Sequence, residues 1–459
     1  MKYISTRGKA PELGFEDVVT TGLASDGGLY VPKEIPTFSK QEIASWKNLS
    51  YQELAFKVMY PFVKKDFSEG ELKTLIEKSY KTFRHDDVAP LAKISENEYI
   101  LELFHGPTLA FKDFALQFLG NLLDHILDKK KQDVVIIGAT SGDTGSAAIE
   151  GCKNCKHINL FMLHPHGRVS DVQRKQMTTI LSPNIHNLAI DGNFDDCQNM
   201  VKEMFSNRNF INKPITAVNS INWARIMAQI VYYFSAALKL GAPEKPISFS
   251  VPTGNFGDIF AGYMAYKMGL PIDKLIVATN KNDILHRFFQ NNDYSASEVH
   301  PSLSPSMDIQ ISSNFERLLF DLYGQDGEKI TELMNNFKNN GKFTVEDEIL
   351  TNAREKFDSC ATNDEEIKEI IKLLHHDLNY IADPHTATAI NAAKKCNFEG
   401  DIVILSTAHP AKFPDAVKSA AGINPELPDH LSDLFEREEK VVRLPKDIEK
   451  IKDFIAKNA

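Results

Sequence analysis

From about residue 95 onward, short β-type runs alternate with helical stretches: Asp133 to Ile137, His157 to Leu163, Ile185 to Ile190, Ile247 to Val251, Lys274 to Thr279 and Asp401 to Leu405. Parallel strands can be joined only by long crossovers, so this alternation argues for an α/β chain with a mainly parallel sheet and covering helices. Ligands of such sheets settle at the carboxyl ends of strands. The turns that follow these runs are therefore the places to look for chemistry.

Two of those turns are rich in glycine. Gly138 to Gly145 (GATSGDTG) follows Asp133 to Ile137, and Pro252 to Asp258 (PTGNFGD) follows Ile247 to Val251; each opens a helical stretch. Glycines let backbone N–H groups converge on an anion, and a helix N-terminus adds a favourable field. Neither turn carries GxxxxGK[ST] or the GxGxxG dinucleotide spacing, so ATP and NAD lose ground. Strand, glycine turn and helix also occur together in α/β proteins that bind nothing there.

Lys112 lies in LFHGPTLAFKD, Leu103 to Asp113, an otherwise apolar and small-residue setting where a β-type stretch gives way to a helical one. Loss of solvation there disfavours the ammonium and leaves a neutral amine able to attack a carbonyl. That makes Lys112 the candidate Schiff-base residue, although lysines near helix starts commonly snorkel to water. An available amine beside two anion cradles points to pyridoxal phosphate and to a substrate with anionic groups of its own.

The segments FHGPTLAFKD around Lys112, GATSGDTG from Gly138, PTGNFGD from Pro252, STAHPAKF from Ser406 and SDGGLYVP from Ser25 together resemble threonine synthases of the bacterial and fungal type. They follow the family's order over almost the whole chain. The resemblance implies a pyridoxal-phosphate-dependent, tryptophan-synthase-like fold with an added N-terminal α+β domain. The expected division is 1–90 for that domain, 91–435 for a catalytic core of two sub-domains, and 436–459 for a helical tail. It further implies conversion of O-phospho-L-homoserine and water to L-threonine and phosphate, by γ-elimination followed by β-addition of water.

Carried onto this chain, the resemblance gives Lys112 the cofactor linkage and later proton transfers. Gly254, Asn255, Phe256, Gly257 and Asp258 would hold or pack around the cofactor phosphate, and Thr407 would meet the pyridine nitrogen. A hydroxyl partner there does not force ring protonation as an aspartate would, which suits elimination and replacement at side-chain carbons. Thr140, Ser141, Gly142, Asp143, Thr144 and Gly145 would receive the substrate α-carboxylate. Asp143 departs from relatives of the same fold, which often place asparagine there; an aspartate would repel that carboxylate unless offset.

Substrate phosphate needs further partners. The candidates are Arg168, Ser170, Gln173 and Lys175 in HGRVSDVQRKQ; Asn219, Ser220, Asn222 and Arg225 in NSINWAR; and Ser312, Ser313, Asn314 and Arg317 in SSNFER. Arginine grips phosphate through paired N–H groups. Any one of these arginines can equally be a solvated helix charge.

With 459 residues and 42% apolar content the chain can bury more than one core, and its formal charge of -10 argues against nonspecific nucleic-acid binding. The expected partner is a small molecule, with no nucleic acid or membrane, and the chain itself a monomer or homodimer. Five cysteines do not suggest a disulfide scaffold. The opening MKYISTRGKAPELGFED lacks the apolar block of a signal peptide, and no apolar run approaches the ~18 residues of a membrane span. A cytoplasmic location is expected.

Cys152 and Cys155 form a CxxC with His164 and His166 close behind, but a second well-spaced ligand pair and a thioredoxin-like context are missing, so they read as buried helix-end cysteines with no metal site. Charged residues at helix-neighbour spacing between about 325 and 380 read as a solvated outer helical layer, with His375 and His376 on its surface. The tail after 430 reads as an exposed helix. Two rival functions stay open: another enzyme of the same cofactor fold, such as a serine or threonine dehydratase or a sulfur-replacing synthase, and a non-catalytic threonine-synthase-like binding protein.

Overall fold

All six β-type runs form strands in the computed structural model, which describes residues 1–459. They fall into two sheets. The larger runs in the order Phe357–Ala361, Ile272–Thr279, Ile247–Pro252, Ile402–Ser406, Glu98–Glu102 and Leu91–Lys93, parallel throughout except for its last pair. The smaller is wholly parallel, in the order Val442–Pro445, Ile185–Asp191, Ile158–Pro165, Val134–Ala139 and Ile215–Thr216. The central strands are apolar over most of their length because helices bury both faces.

Two strands depart from expectation. Phe357–Ala361 lies inside the stretch read as an outer helical layer, and pairs in register with Leu275 to Thr279. Its five residues are flanked by charged helices, Asp347–Lys356 and Asp364–Leu378, whose strong periodicity hides it. The tail is not simply an exposed helix. Val442–Pro445 extends the smaller sheet alongside Leu188 to Asp191, and helix Ile448–Asn458 buries Ile451 and Ile455 against that sheet's apolar face.

In the N-terminal region, helix Tyr51–Val63 forms as its periodicity predicts, and it and helix Glu69–Tyr80 both begin with a capping box, Ser50 with Glu53 and Ser68 with Glu71. Phe15, Val58, Phe62 and Tyr80 enter the same apolar cluster as helices Lys112–Lys130 and Trp223–Lys239. The latter is buried from Trp223 to Leu238, which fits its run of apolar residues on every side.

Helices Lys112–Lys130 and Asp143–Cys152 cross with their backbones nearly touching: a Cβ on Gly120 would lie 2.2 Å from the Gly151 carbonyl. Their first residues are Lys112 and Asp143. Cys152 and Cys155 are buried free thiols at the far end of the second helix, where the Cys155 thiol lies 3.5 Å from the Gly120 carbonyl. No helix is long and apolar enough to cross a membrane.

Candidate active site

The strand carboxyl ends converge on a cleft of about 740 Å³, its mouth included, a size typical of small-molecule sites. Lys112 reaches it at the end of the loop after strand Glu98–Glu102. The loop is fastened to the neighbouring strand end by Leu103 N–H donating to the Ser406 carbonyl (2.9 Å) and Phe111 N–H donating to the Thr407 carbonyl (2.9 Å). Leu109 takes a left-handed backbone (φ 61°) to make the turn. Thr108 donates to the Asp113 carboxyl through its N–H (2.8 Å) and hydroxyl (2.7 Å), closing the helix start; burial pushes that carboxyl up to about 6.

Lys112 Nζ lies 3.3 Å from Asp143 Oδ2 with its side chain 11% exposed. Burial lowers its proton affinity, the Asp143 carboxylate opposes that, and Lys412 and Arg225 reinforce the lowering, so the amine ends below the ordinary lysine value. The sequence expectation of a desolvated amine matches this setting.

Asp143 is a hub. Its Oδ2 faces Lys112 and accepts from the Ser306 hydroxyl (3.1 Å); its Oδ1 accepts from Gln173 Nε2 (2.8 Å) and pairs with Lys412 Nζ (3.0 Å). Burial alone would raise this carboxyl, but Lys412, Lys112 and His385 outweigh it and hold it well below the usual carboxylate range. The charge that a bare aspartate would bring to this turn is thus offset. Gly142, at φ 148°, leaves the room Gln173 occupies: a Cβ there would meet the amide at 2.4 Å.

The first cradle is less open than its sequence suggests. Thr140 Oγ1 accepts from the amides of Gly142 (3.0 Å) and Gly145 (2.9 Å), and Ser141 is exposed. Of its six residues, Asp143 and Thr144 line the cleft.

The second cradle is open. The amides of Gly254 to Asp258 donate to no protein acceptor at the N-terminus of helix Gly257–Lys267. Phe256 is the N-cap in a left-handed conformation, φ 61°, which costs a non-glycine residue about 1 kcal/mol or more and aims successive N–H groups into one hollow. A Cβ on Gly254 would approach the Ser306 carbonyl at 3.2 Å. Asp258 Oδ1 accepts from the Tyr232 hydroxyl and from Tyr233 (2.9 Å), while Oδ2 has no partner, and burial pushes the carboxyl up to about 6.

Arg225 supplies the cation. It is buried, it lines the cleft, its Nε and Nη1 have no protein partner, and burial pulls its proton affinity down to about 10. A guanidinium left unpaired inside a protein is costly unless an anion completes it. Ser220 lines the cleft with it; Asn219 is nearby in sequence, its Oδ1 buried without a partner.

The other proposed phosphate ligands are elsewhere. Ser312 donates to the Gly254 carbonyl (2.7 Å), and Asn314 donates to the Asn255 carbonyl through Nδ2 (2.9 Å) and N–H (3.1 Å), so both brace the second cradle from behind. Arg317 is buried with its guanidinium spent on the carbonyls of Tyr30 (2.9 Å) and Ile221 (2.6 Å) and on Asn314. Ser313 is outside the cleft lining, and Arg168 is exposed and outside it. Ser170 caps helix Asp171–Thr178, Lys175 pairs with Glu439 (3.0 Å), and Asn222 caps helix Trp223–Lys239. Sequence alone does not say where an arginine's donors go, and here they go to backbone.

Three residues were missed. Lys412, within the quoted STAHPAKF, is fully buried with Nζ on Asp143 and on the Thr108 carbonyl (2.6 Å). His385 lines the cleft; its Nδ1 donates to Asp383 (2.7 Å) and its Nε2 accepts from Ser306 N–H (3.2 Å). Ser306 comes from the short 3-10 turn Pro305–Met307, within a loop that offered no sequence signal. For His385 the available signal was Asp383 and Pro384, an N-cap and first-turn proline that place it at a buried helix start.

A buried amine, an open nest of amides, a buried hydroxyl at Thr407 and an unpaired guanidinium fit pyridoxal phosphate, and residues 88–336 match the family described as pyridoxal-phosphate dependent enzyme. That is the class the fold and site define. Residues 2–80 match the threonine synthase N terminus and residues 386–455 the threonine synthase C-terminal family. Threonine synthase of Pseudomonas aeruginosa is 59% identical over 100% of this chain and 98% of its own, and that of Schizosaccharomyces pombe 45% identical over 92% and 89%. The crystal structure of pyridoxal-phosphate-bound threonine synthase from Brucella melitensis superposes with a TM-score of 0.98 at 48% identity, covering 100% of this chain and 99% of that one. The chain belongs to the threonine synthase family.

Proposed function

We propose that the chain converts O-phospho-L-homoserine and water to L-threonine and inorganic phosphate. The observation that carries this reading is the meeting, in one cleft, of a single desolvated amine at Lys112 with two sets of anion donors, the unengaged amides of Gly254 to Asp258 and the unpaired guanidinium of Arg225, more than one anion needs. A dehydratase acting on an unphosphorylated amino acid needs only the first. The second favours a substrate that carries its own phosphate.

Pyridoxal phosphate, when bound, supplies an electron-withdrawing ring that makes hydrogens on the α- and β-carbons removable and lets phosphate depart from the γ-carbon. Lys112, the one amine lining the cleft, would hold it, and as a free amine would carry protons at Nζ between those carbons. Asp143 Oδ2, at 3.3 Å, steadies Nζ whenever it is charged. The amides of Gly254 to Asp258 would hold the cofactor phosphate, and the Thr407 hydroxyl would serve the ring nitrogen. Arg225, with Ser220 and Asn219, receives the substrate phosphate, and the amides of Asp143 and Thr144 the α-carboxylate. Burial of the site delays water until elimination is complete.

A cytoplasmic location fits five cysteines that are all free thiols. The reading requires a small-molecule substrate and no partner beyond a second copy of the chain. The test is release of phosphate from O-phosphohomoserine, with and without added pyridoxal phosphate, by the wild type and by Lys112→Ala. Cofactor-dependent release by the wild type alone is expected; no release by the loaded wild type would end this reading.

A further inference from the structure

Lys412 belongs to no part of the reaction derived above, yet it is the most deeply buried ammonium beside the cleft, with none of its side chain exposed. Such a charge is tolerated only where partners replace its lost water. It has two. Nζ donates to the Thr108 carbonyl (2.6 Å), in the loop that delivers Lys112, and pairs with Asp143 Oδ1 (3.0 Å), at the start of the helix that crosses Lys112's own. Lys412 itself sits in the turn Pro410–Lys412, shortly after the strand Ile402–Ser406 whose end presents Thr407. One side chain therefore ties together the three segments that shape the cleft around the reacting amine.

The division of Asp143 gives this a consequence. Oδ1 is committed to Lys412 and Gln173, so Oδ2 is turned to Lys112 and Ser306. The charged and titratable groups that bear on Lys112 are Asp143, Lys412, Arg225 and, from the second cradle, Asp258, with His385 acting on Asp143. Without Lys412, an isolated carboxylate 3.3 Å away would bias the amine toward its ammonium, a poor base. With it, the same carboxylate is half neutralised and geometrically fixed.

We propose that Lys412 is a positioning residue that holds Asp143 ionised and aimed, and by sharing its charge keeps Lys112 Nζ able both to take and to return a proton. This rests on the assignment of Lys112 as the cofactor lysine. Removing the Lys412 charge then leaves Asp143 free to bind the proton at Lys112 more tightly, while an arginine at the same place preserves the balance.

The experiment is a pH titration of the visible absorption of the cofactor-loaded protein, whose midpoint reads the protonation of Lys112 Nζ, set beside the acidic limb of the kcat profile. In Lys412→Met the midpoint and the limb are expected to move up together by at least about one pH unit, a tenfold change in proton affinity. Lys412→Arg is expected to stay near the wild type, and Asp143→Asn to move the midpoint down. Should Lys412→Met fail to fold, the contrast between an unmoved Lys412→Arg and a lowered Asp143→Asn still decides, because a midpoint in Lys412→Arg displaced as far as that of Asp143→Asn would overturn the proposal. Wild-type midpoints in both Lys412 variants would also overturn it. Lys112→Ala separates this from its premise: if the band survives there, the cofactor lysine is misassigned; if the band is lost there and Lys412→Met titrates as wild type, only the role of Lys412 falls.

Discussion

At the scale of single residues, the site is organised by which buried groups lack partners. Arg225 is the clearest case, and Arg225→Met should lower kcat/KM about 10²- to 10³-fold, the usual cost of removing one member of a buried charge pair. The same variant should lose nothing, or gain, in stability without ligand, since an unpaired cation has gone. Heat denaturation of the cofactor-loaded protein, whose second cradle is filled, with and without inorganic phosphate checks the anion site: phosphate should protect the wild type and leave Arg225→Met unmoved. Asp258 makes a pH-dependent prediction. Its carboxyl is raised by burial to about 6, so the folded protein binds that proton more tightly than the unfolded chain does. The contribution favours folding at low pH and is lost as pH climbs from about 4 through about 6, leaving a cost on the order of 2–3 kcal/mol above that. Asp258→Asn should therefore gain stability over the cofactor-free wild type progressively across that window, and a gain independent of pH in denaturant titrations would refute the assignment. Legibility at this scale was uneven for a physical reason. Lys112 and Gly254 to Asp258 stand in motifs whose chemistry follows from local sequence, and Thr407 was reached through the family resemblance, whereas Lys412, Ser306 and His385 enter the site through contacts between residues 79 to 304 positions apart. Arg317 and Arg225 are alike as residue types and both are buried; their partners separate the braced one from the unpaired one.

At the scale of elements, two helix N-termini carry Lys112 and Asp143, and one glycine contact sets their spacing. Gly120→Ala would drive a methyl group into the Gly151 carbonyl, so helices Lys112–Lys130 and Asp143–Cys152 must part. A loss of about 1–3 kcal/mol is expected. A shift of even ~1 Å between Lys112 and Asp143 should cost about 10²-fold in kcat. Wild-type stability together with wild-type kcat would show that the contact does not set the geometry. Strands were readable where apolar runs met glycine turns, as at Val134–Ala139 and Ile247–Pro252. They were unreadable where a short strand owes its burial to its neighbours. Phe357–Ala361 and Val442–Pro445 join their sheets at the edges, and neither has the sustained apolar pattern of a central strand.

At the scale of the whole molecule, two mainly parallel sheets direct their strand ends into one cleft, and the segments bearing Lys112, Asp143, Arg225 and Thr407 come from both sides of it. The reaction needs water kept out during elimination and let in afterwards, which a relative motion of the two halves would provide. Solution scattering should show a more compact particle when a phosphonate analogue of the substrate is added to the cofactor-loaded protein; superimposable curves would count against closure. Everything in the account depends on the amine of Lys112 being the one that bonds the cofactor. The direct measurement is borohydride reduction of the cofactor-loaded protein followed by peptide mapping. A single pyridoxyl group on Lys112 is expected, and a group on any other lysine, or none at all, would contradict that assignment.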